Sequence, residues 1–179
     1  MKEKTTLGLL RGLGVLALSF LAARPFIFKR PEINLKTEQG IERFVLPDGP
    51  DGYQCSDYAR QLATKFGKTF SQRDAWDRVY FDEIEARIYN NQDLKDYEQQ
   101  GKLKPGMLIG VKYPGSSFRE GKDFNGNPRQ FTHTMCYIGK DEKGELVFAE
   151  SIGGNEKFRR LSEFGNLEAK YVFSEMKKR

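Results

Sequence analysis

Apolar positions recur every three to four residues between Cys55 and Phe66, where Tyr58, Ala59, Leu62, Ala63 and Phe66 line one side of a helix that Gly67 would stop. Cys55 opens that helix. Ser71 with Asp74 three residues on has the form of a capping box, and Trp76, Val79, Tyr80, Ile84 and Ile88 supply the apolar stripe of a second helix. A short third helix is expected around Leu94 to Gln99. After Gly101 the chain changes character: Lys104-Pro105-Gly106 is a turn and Met107 to Tyr113 is β-prone. A loop rich in Gly, Ser, Asn and Pro fills residues 114–130. Phe131 to Gly139 then reads as a strand, Asp141 to Gly144 as a hairpin turn, Glu145 to Ser151 as the returning strand and Lys170 to Glu175 as a last strand. Helices first and an antiparallel meander second predict an α+β domain.

The N-terminal part follows other rules. Residues 7–28 are apolar but interrupted by Arg11 and Arg24, leaving Gly12 to Ala23 uncharged, a run of 12 residues. As a helix it would span roughly 18 Å, short of the ~30 Å hydrocarbon core unless the flanking arginines snorkel. A basic start and a short apolar run have the form of an export signal, although Phe20 and Leu21 leave no clean A-x-A cleavage site. Residues 1–30 are therefore expected to be a signal peptide or an N-terminal membrane anchor, and the protein to be extracytoplasmic. Residues 31–43 read as a tether, the PDGPDG segment as a tight turn, and 44–179 as the folded domain.

Composition sharpens this picture in two ways. Among 179 residues, 38% are hydrophobic, with 14 Phe and 8 Tyr, which is enough for a real core and too aromatic for a disordered chain. The net charge of +5 is confined to the leader, where six basic side chains face Glu3; the rest carries 24 basic and 24 acidic groups. A balanced domain lacks the electrostatic surplus that nonspecific nucleic-acid binding draws on. A membrane contact is expected only through the N-terminal segment.

Two cysteines and one histidine restrict the chemistry. No CxxC pair or His cluster suggests a metal site, and no GxxxxGK loop suggests a nucleotide, so no cofactor is expected. What remains is Cys55 at a helix start and His133 near a strand start, 78 residues later. Helix-start N–H groups favour a thiolate, and an imidazole can stabilise it and later deliver a proton. Asp57 works against this, since a nearby carboxylate raises a thiol pKa. By strand parity His133, Met135 and Tyr137 share one face and Thr134, Cys136 and Ile138 the other, which separates His133 from Cys136. On the returning strand Glu150 is the candidate to accept the second ring N–H of His133, the alternative being an exposed strand-end charge. Gln54 and Ser56, flanking the cysteine, are candidates for oxyanion binding beside their ordinary roles as an exposed Gln and a capping Ser.

YQCSDYA at 53–59, AWD at 75–77, LKPGMLIGV at 103–111, FTHTMCYIG at 131–139 and VFAES at 147–151 come in an order that resembles the NlpC-type and CHAP-type cell-wall cysteine peptidases and amidases. The resemblance covers about Tyr53 to Ser151. It implies a papain-like fold, with a nucleophilic cysteine on a helix against an antiparallel sheet carrying histidine, and peptidoglycan peptides as substrates. It places Cys55 as nucleophile, His133 as base and Glu150 as third residue, within one position of Ser151. Gln54 before the cysteine is similar to the CHAP pattern; Ile152 stands where that branch often has Asn, and the nearest downstream Asn is Asn155. The leading expectation is a Cys-His-Glu amidase or endopeptidase. Its rivals are a non-enzymatic binding domain with a Cys55–Cys136 disulfide and a thiol acyltransferase acting on lipids.

Overall fold

Among the described residues, alternating side chains along several strands and one amphipathic helix build a mixed α/β domain with an eight-stranded antiparallel sheet and two helices. The computed structural model describes residues 29–49, 54–72, 75–112, 122, 125–128, 131–164 and 170–176. Nearly all of the expected leader, most of the 114–130 loop, Asp74 and the Trp76 side chain lie outside the described residues. Among the described residues no helix is long and apolar enough to cross a membrane.

The strands are β1 (Glu32–Thr37), β2 (Gly40–Val45), β3 (Asp82–Ile88), β4 (Leu108–Val111), β5 (His133–Asp141), β6 (Leu146–Ile152), β7 (Asn155–Arg160) and β8 (Lys170–Met176). The helices are α1 (Cys55–Lys65) and α2 (Asn91–Gln99). Strand order runs β2-β1-β5-β4-β8-β3, with β6 on β5 and β7 on β6. The length of β5 makes this possible: residues 133–136 pair with β4 and residues 140–141 with β1, while β6 pairs from Lys140↔Leu146 to Cys136↔Ala149.

Period-two alternation divides the interior into two cores. Tyr58, Ala59, Leu62 and Ala63 of α1 pack with Leu108, Cys136, Ile138, Val147, Ala149 and Phe173. Ile109, Met135, Tyr137, Phe148 and Val172 pack instead with Leu94 of α2, Leu161 and Phe164. The α1 helix begins where the Asp57 carboxylate accepts the Gln54 N–H at 3.3 Å. It ends where Gly67, at φ +72°, donates its N–H to the Thr64 carbonyl.

Three segments depart from expectation. Residues 32–45, expected as mostly tether, form the β1–β2 hairpin, because Ile33 and Leu35 face inward while Asn34 and Lys36 face out. The folded unit therefore includes the segment from Glu32, ahead of Phe44. The expected second helix through Trp76 to Ile88 is a 3-10 turn (Ala75–Tyr80) followed by β3. Ile84, Ala86 and Ile88 alternate with Glu83, Glu85 and Arg87, so the segment satisfies a strand with one exposed charged edge. Strand β7 was not foreseen. It follows a two-residue turn in which Gly153 and Gly154 have φ +60° and +79° and Ile152 faces Asn155.

Gly106 shows how tightly the α1 face is joined to the sheet. It has φ +90°, donates its N–H to the Tyr137 carbonyl at 2.8 Å, and an added Cβ would lie 2.5 Å from the Phe66 Cβ. Gly106→Ala is expected to cost more than about 2 kcal/mol, combining left-handed strain with overpacking. Urea denaturation checks this; an unchanged midpoint would show that the turn can move away.

Candidate active site

The paired register of β5 and β6 ends at Cys136↔Ala149, leaving His133 and Thr134 on one strand and Glu150 and Ser151 on the other beyond it. The first turn of α1 meets the sheet at that end. Cys55 is half-buried, and the His133 ring and the backbone N–H groups of Thr134 and Ser56 all act on its sulfur. His133 Nε2 lies 2.8 Å from Glu150 Oε2, and with Nε2 committed there, Nδ1 is the ring nitrogen left for the thiol. His133 is 6% exposed and Glu150 fully buried. Glu150, not Ser151, meets the imidazole.

Each member of this chain has its ionisation displaced by its neighbours. Burial opposes ionisation of the Cys55 thiol and is the largest single influence. The His133 hydrogen bond and charge, with the Thr134 and Ser56 N–H groups, together outweigh it and hold the thiol below its ordinary range. Burial likewise opposes protonation of His133, but bonding to Cys55 and Glu150 pushes the imidazole up to about 9. Glu150 resists ionisation through burial, yet its bond to His133 and the charges of His133, Arg159 and Lys157 keep it below the usual carboxylate range. Together these directions favour a thiolate, an imidazolium and a carboxylate in series.

The flanking residues take unequal parts. Gln54 is exposed; its carbonyl accepts the N–H groups of Asp57 and Tyr58 at 3.0 and 3.2 Å. Ser56 is buried and contributes through its backbone, not as an exposed hydroxyl. The Asp57 carboxylate, expected to oppose the thiolate, is ion-paired with Arg60 and accepts the Gln54 N–H, which offsets its charge. Both cysteines are free thiols, so the Cys55–Cys136 bridge weighed above is not formed. Cys136 sits in the α1-side core, where burial raises its pKa and keeps it a small apolar residue. Among the described residues no group of three or more His, Cys, Asp or Glu side chains could hold a metal ion.

Two contributors to the charge balance of this series escaped the sequence. Lys157 and Arg159 of β7 place Nζ and Nε at 3.4 and 2.9 Å from Glu150 Oε1, and the Arg159 guanidinium lies 5.0 Å from the Phe164 ring centroid. The signal for them was the Gly153-Gly154 turn: a two-residue hairpin puts Lys157 directly opposite Glu150. Glu150→Gln would leave these cations without their carboxylate, and is expected to cost about 3 kcal/mol at neutral pH. The Glu150 contribution is present above its ordinary value of 4.5 and lost as pH falls through its lower folded value, so the deficit should shrink in acid. Equal urea stability of the two proteins at pH 7 would contradict it.

Comparison of the chain with protein families, with curated proteins and with solved structures finds no match.

Proposed function

We propose that the protein is an extracytoplasmic thiol hydrolase of papain-like type that cleaves an amide bond in peptidoglycan peptides. The observation that carries the reading is the series from Cys55 through His133 to Glu150, in which thiol and imidazole shift each other's ionisation and the ring meets Glu150 at 2.8 Å, assembled from a helix start and two strand ends. A Cys-His pair oriented by a third buried group is the arrangement that nucleophilic acyl transfer needs. The resemblance of the Cys, His and acid motifs to cell-wall peptidases supplies the substrate class, and the basic, apolar leader supplies the location.

In this mechanism the Cys55 thiolate attacks the carbonyl carbon and the backbone N–H of Cys55 helps hold the oxyanion. Collapse of that intermediate breaks the C–N bond as His133 gives its proton to the leaving amine. Water, deprotonated by His133, then attacks the thioester; the acid departs, the thiolate returns and Glu150 holds the ring throughout. The test is a digest of purified peptidoglycan with the full-length chain, its fragments identified by mass spectrometry. New amine and carboxyl termini are expected from the native protein only. Equal release by Cys55→Ala, or lipid turnover without wall fragments, would overturn the reading.

A further inference from the structure

One buried charged pair takes no part in the mechanism above. Arg78, in the 3-10 turn, and Asp82, at the start of β3, are both fully buried and joined by Nη1 to Oδ2 at 2.7 Å. The Asp82 Oδ1 accepts the Ser71 N–H at 2.7 Å, and Arg78 Nη1 donates to the Ser71 carbonyl at 3.3 Å. Its Nη2 donates to the Ser56 carbonyl at 3.5 Å, in the first turn of α1 and one residue from Cys55. The Arg78 guanidinium also lies 5.9 Å from the Phe70 ring centroid. One ion pair thus joins the 3-10 turn, β3, the Ser71 backbone and the start of α1.

Such a pair is a poor device for stability alone. Removing two ions from water is costly, and well-packed apolar residues often serve as well. A position next to the nucleophile offers another use. Among the described residues, the charged and titratable groups near Cys55 include His133 from β5 with Glu150 behind it, Asp57 and Arg60 from the first two turns of α1, and Arg78 from the 3-10 turn. Arg60 is ion-paired with Asp57 and also donates to the Ser71 carbonyl, at 3.4 Å. Burial is the largest influence on Arg78 and opposes its charge; Asp82 from β3 favours it, Arg60 from α1 opposes it, and a Cys55 thiolate favours it. In a poorly hydrated interior a fixed cation favours nearby negative charge more strongly than it would in water.

We infer that the Arg78–Asp82 pair is a positioning element of the nucleophile: it fixes the first turn of α1 and keeps a positive charge behind Cys55 that favours the thiolate. The inference rests on Cys55 being the nucleophile, but its strength is set by Asp82. The aspartate holds the guanidinium in place while cancelling part of its field.

That division of roles predicts opposite effects from the two partners. In the full-length chain, the pH dependence of Cys55 alkylation by iodoacetamide is read by mass spectrometry of the Cys55 peptide. Arg78→Met is expected to move the midpoint up by about one pH unit, roughly a tenfold loss of thiolate below it. Asp82→Asn is expected to move it down, and Arg78→Lys to leave it near the native position. A purely structural pair would leave the midpoint in place or shift both variants in the same direction, and either result overturns the inference. If Arg78→Met does not fold, a downward shift in Asp82→Asn still supports it; loss of folded protein in both overturns it. Alkylation needs no substrate, so failure to cleave peptidoglycan would sink the functional proposal and leave this measurement standing.

Discussion

Cys55→Ala is expected to remove amide cleavage by a factor on the order of 10⁵ to 10⁶, the scale seen when the attacking group of an acyl-transfer enzyme is deleted. The fold should survive, because Cys55 is only half-buried at a helix terminus and Ala is a good helix former. Steady-state hydrolysis of a synthetic stem peptide, with circular dichroism as the control, checks both halves of the statement. Cys55→Ser should be nearly as inactive, since a hydroxyl cannot take the charged form that His133 and the Thr134 and Ser56 N–H groups stabilise. Activity within tenfold of native in either folded variant would mean that the attacking atom lies elsewhere.

The loss should not spread to Cys136. That thiol is fully buried in the α1-side core and held in its neutral form, so Cys136→Ala tests packing and not chemistry. The two cysteines are therefore separated by the same strand parity that separates the cores. Cys136 follows Leu108 and Ala149 into one, while Met135 follows Ile109 and Phe148 into the other.

How much of this was legible in the sequence depends on the kind of residue involved. Helix α1, helix α2, the β5–β6 hairpin and β8 announced themselves, because apolar periodicity and turn residues agreed along each of them. The first hairpin was hidden by its composition: β2 is exposed along most of its length, so its polar residues look like those of a linker. The error over β3 has a different origin. Val79, Tyr80, Ile84 and Ile88 fit a helical stripe, but Asp82 is buried against Arg78, and no periodicity rule anticipates a buried charge. The same limit applied at the site. Cys55, His133 and Glu150 could be nominated because thiol chemistry requires those types, whereas Arg159, Lys157 and Arg78 looked like ordinary surface cations. Their roles come from pairing across the fold: Lys157 faces Glu150 only once the Gly153-Gly154 turn fixes the register of β7.

His133→Ala is expected to lower kcat/KM by about 10²- to 10⁴-fold, and the pH behaviour should show why. In the native protein the imidazole is pushed up to about 9, so it can carry the proton needed by the leaving amine across the neutral range and lose it as pH rises through that value. Activity should therefore fall on the alkaline side near pH 9, while the acid limb follows protonation of Cys55 below its ordinary value of 9.0. The same interaction links folding to pH. Its stabilisation is fully present below the ordinary imidazole value of 6.5 and disappears as pH rises through about 9. Removing the ring deletes the strongest influence favouring the Cys55 thiolate and leaves burial to oppose it, so the midpoint of thiol alkylation should move upward. A variant whose alkylation curve overlays the native one would show that the imidazole does not set the charge on sulfur, and the proposed proton transfer would lose its origin.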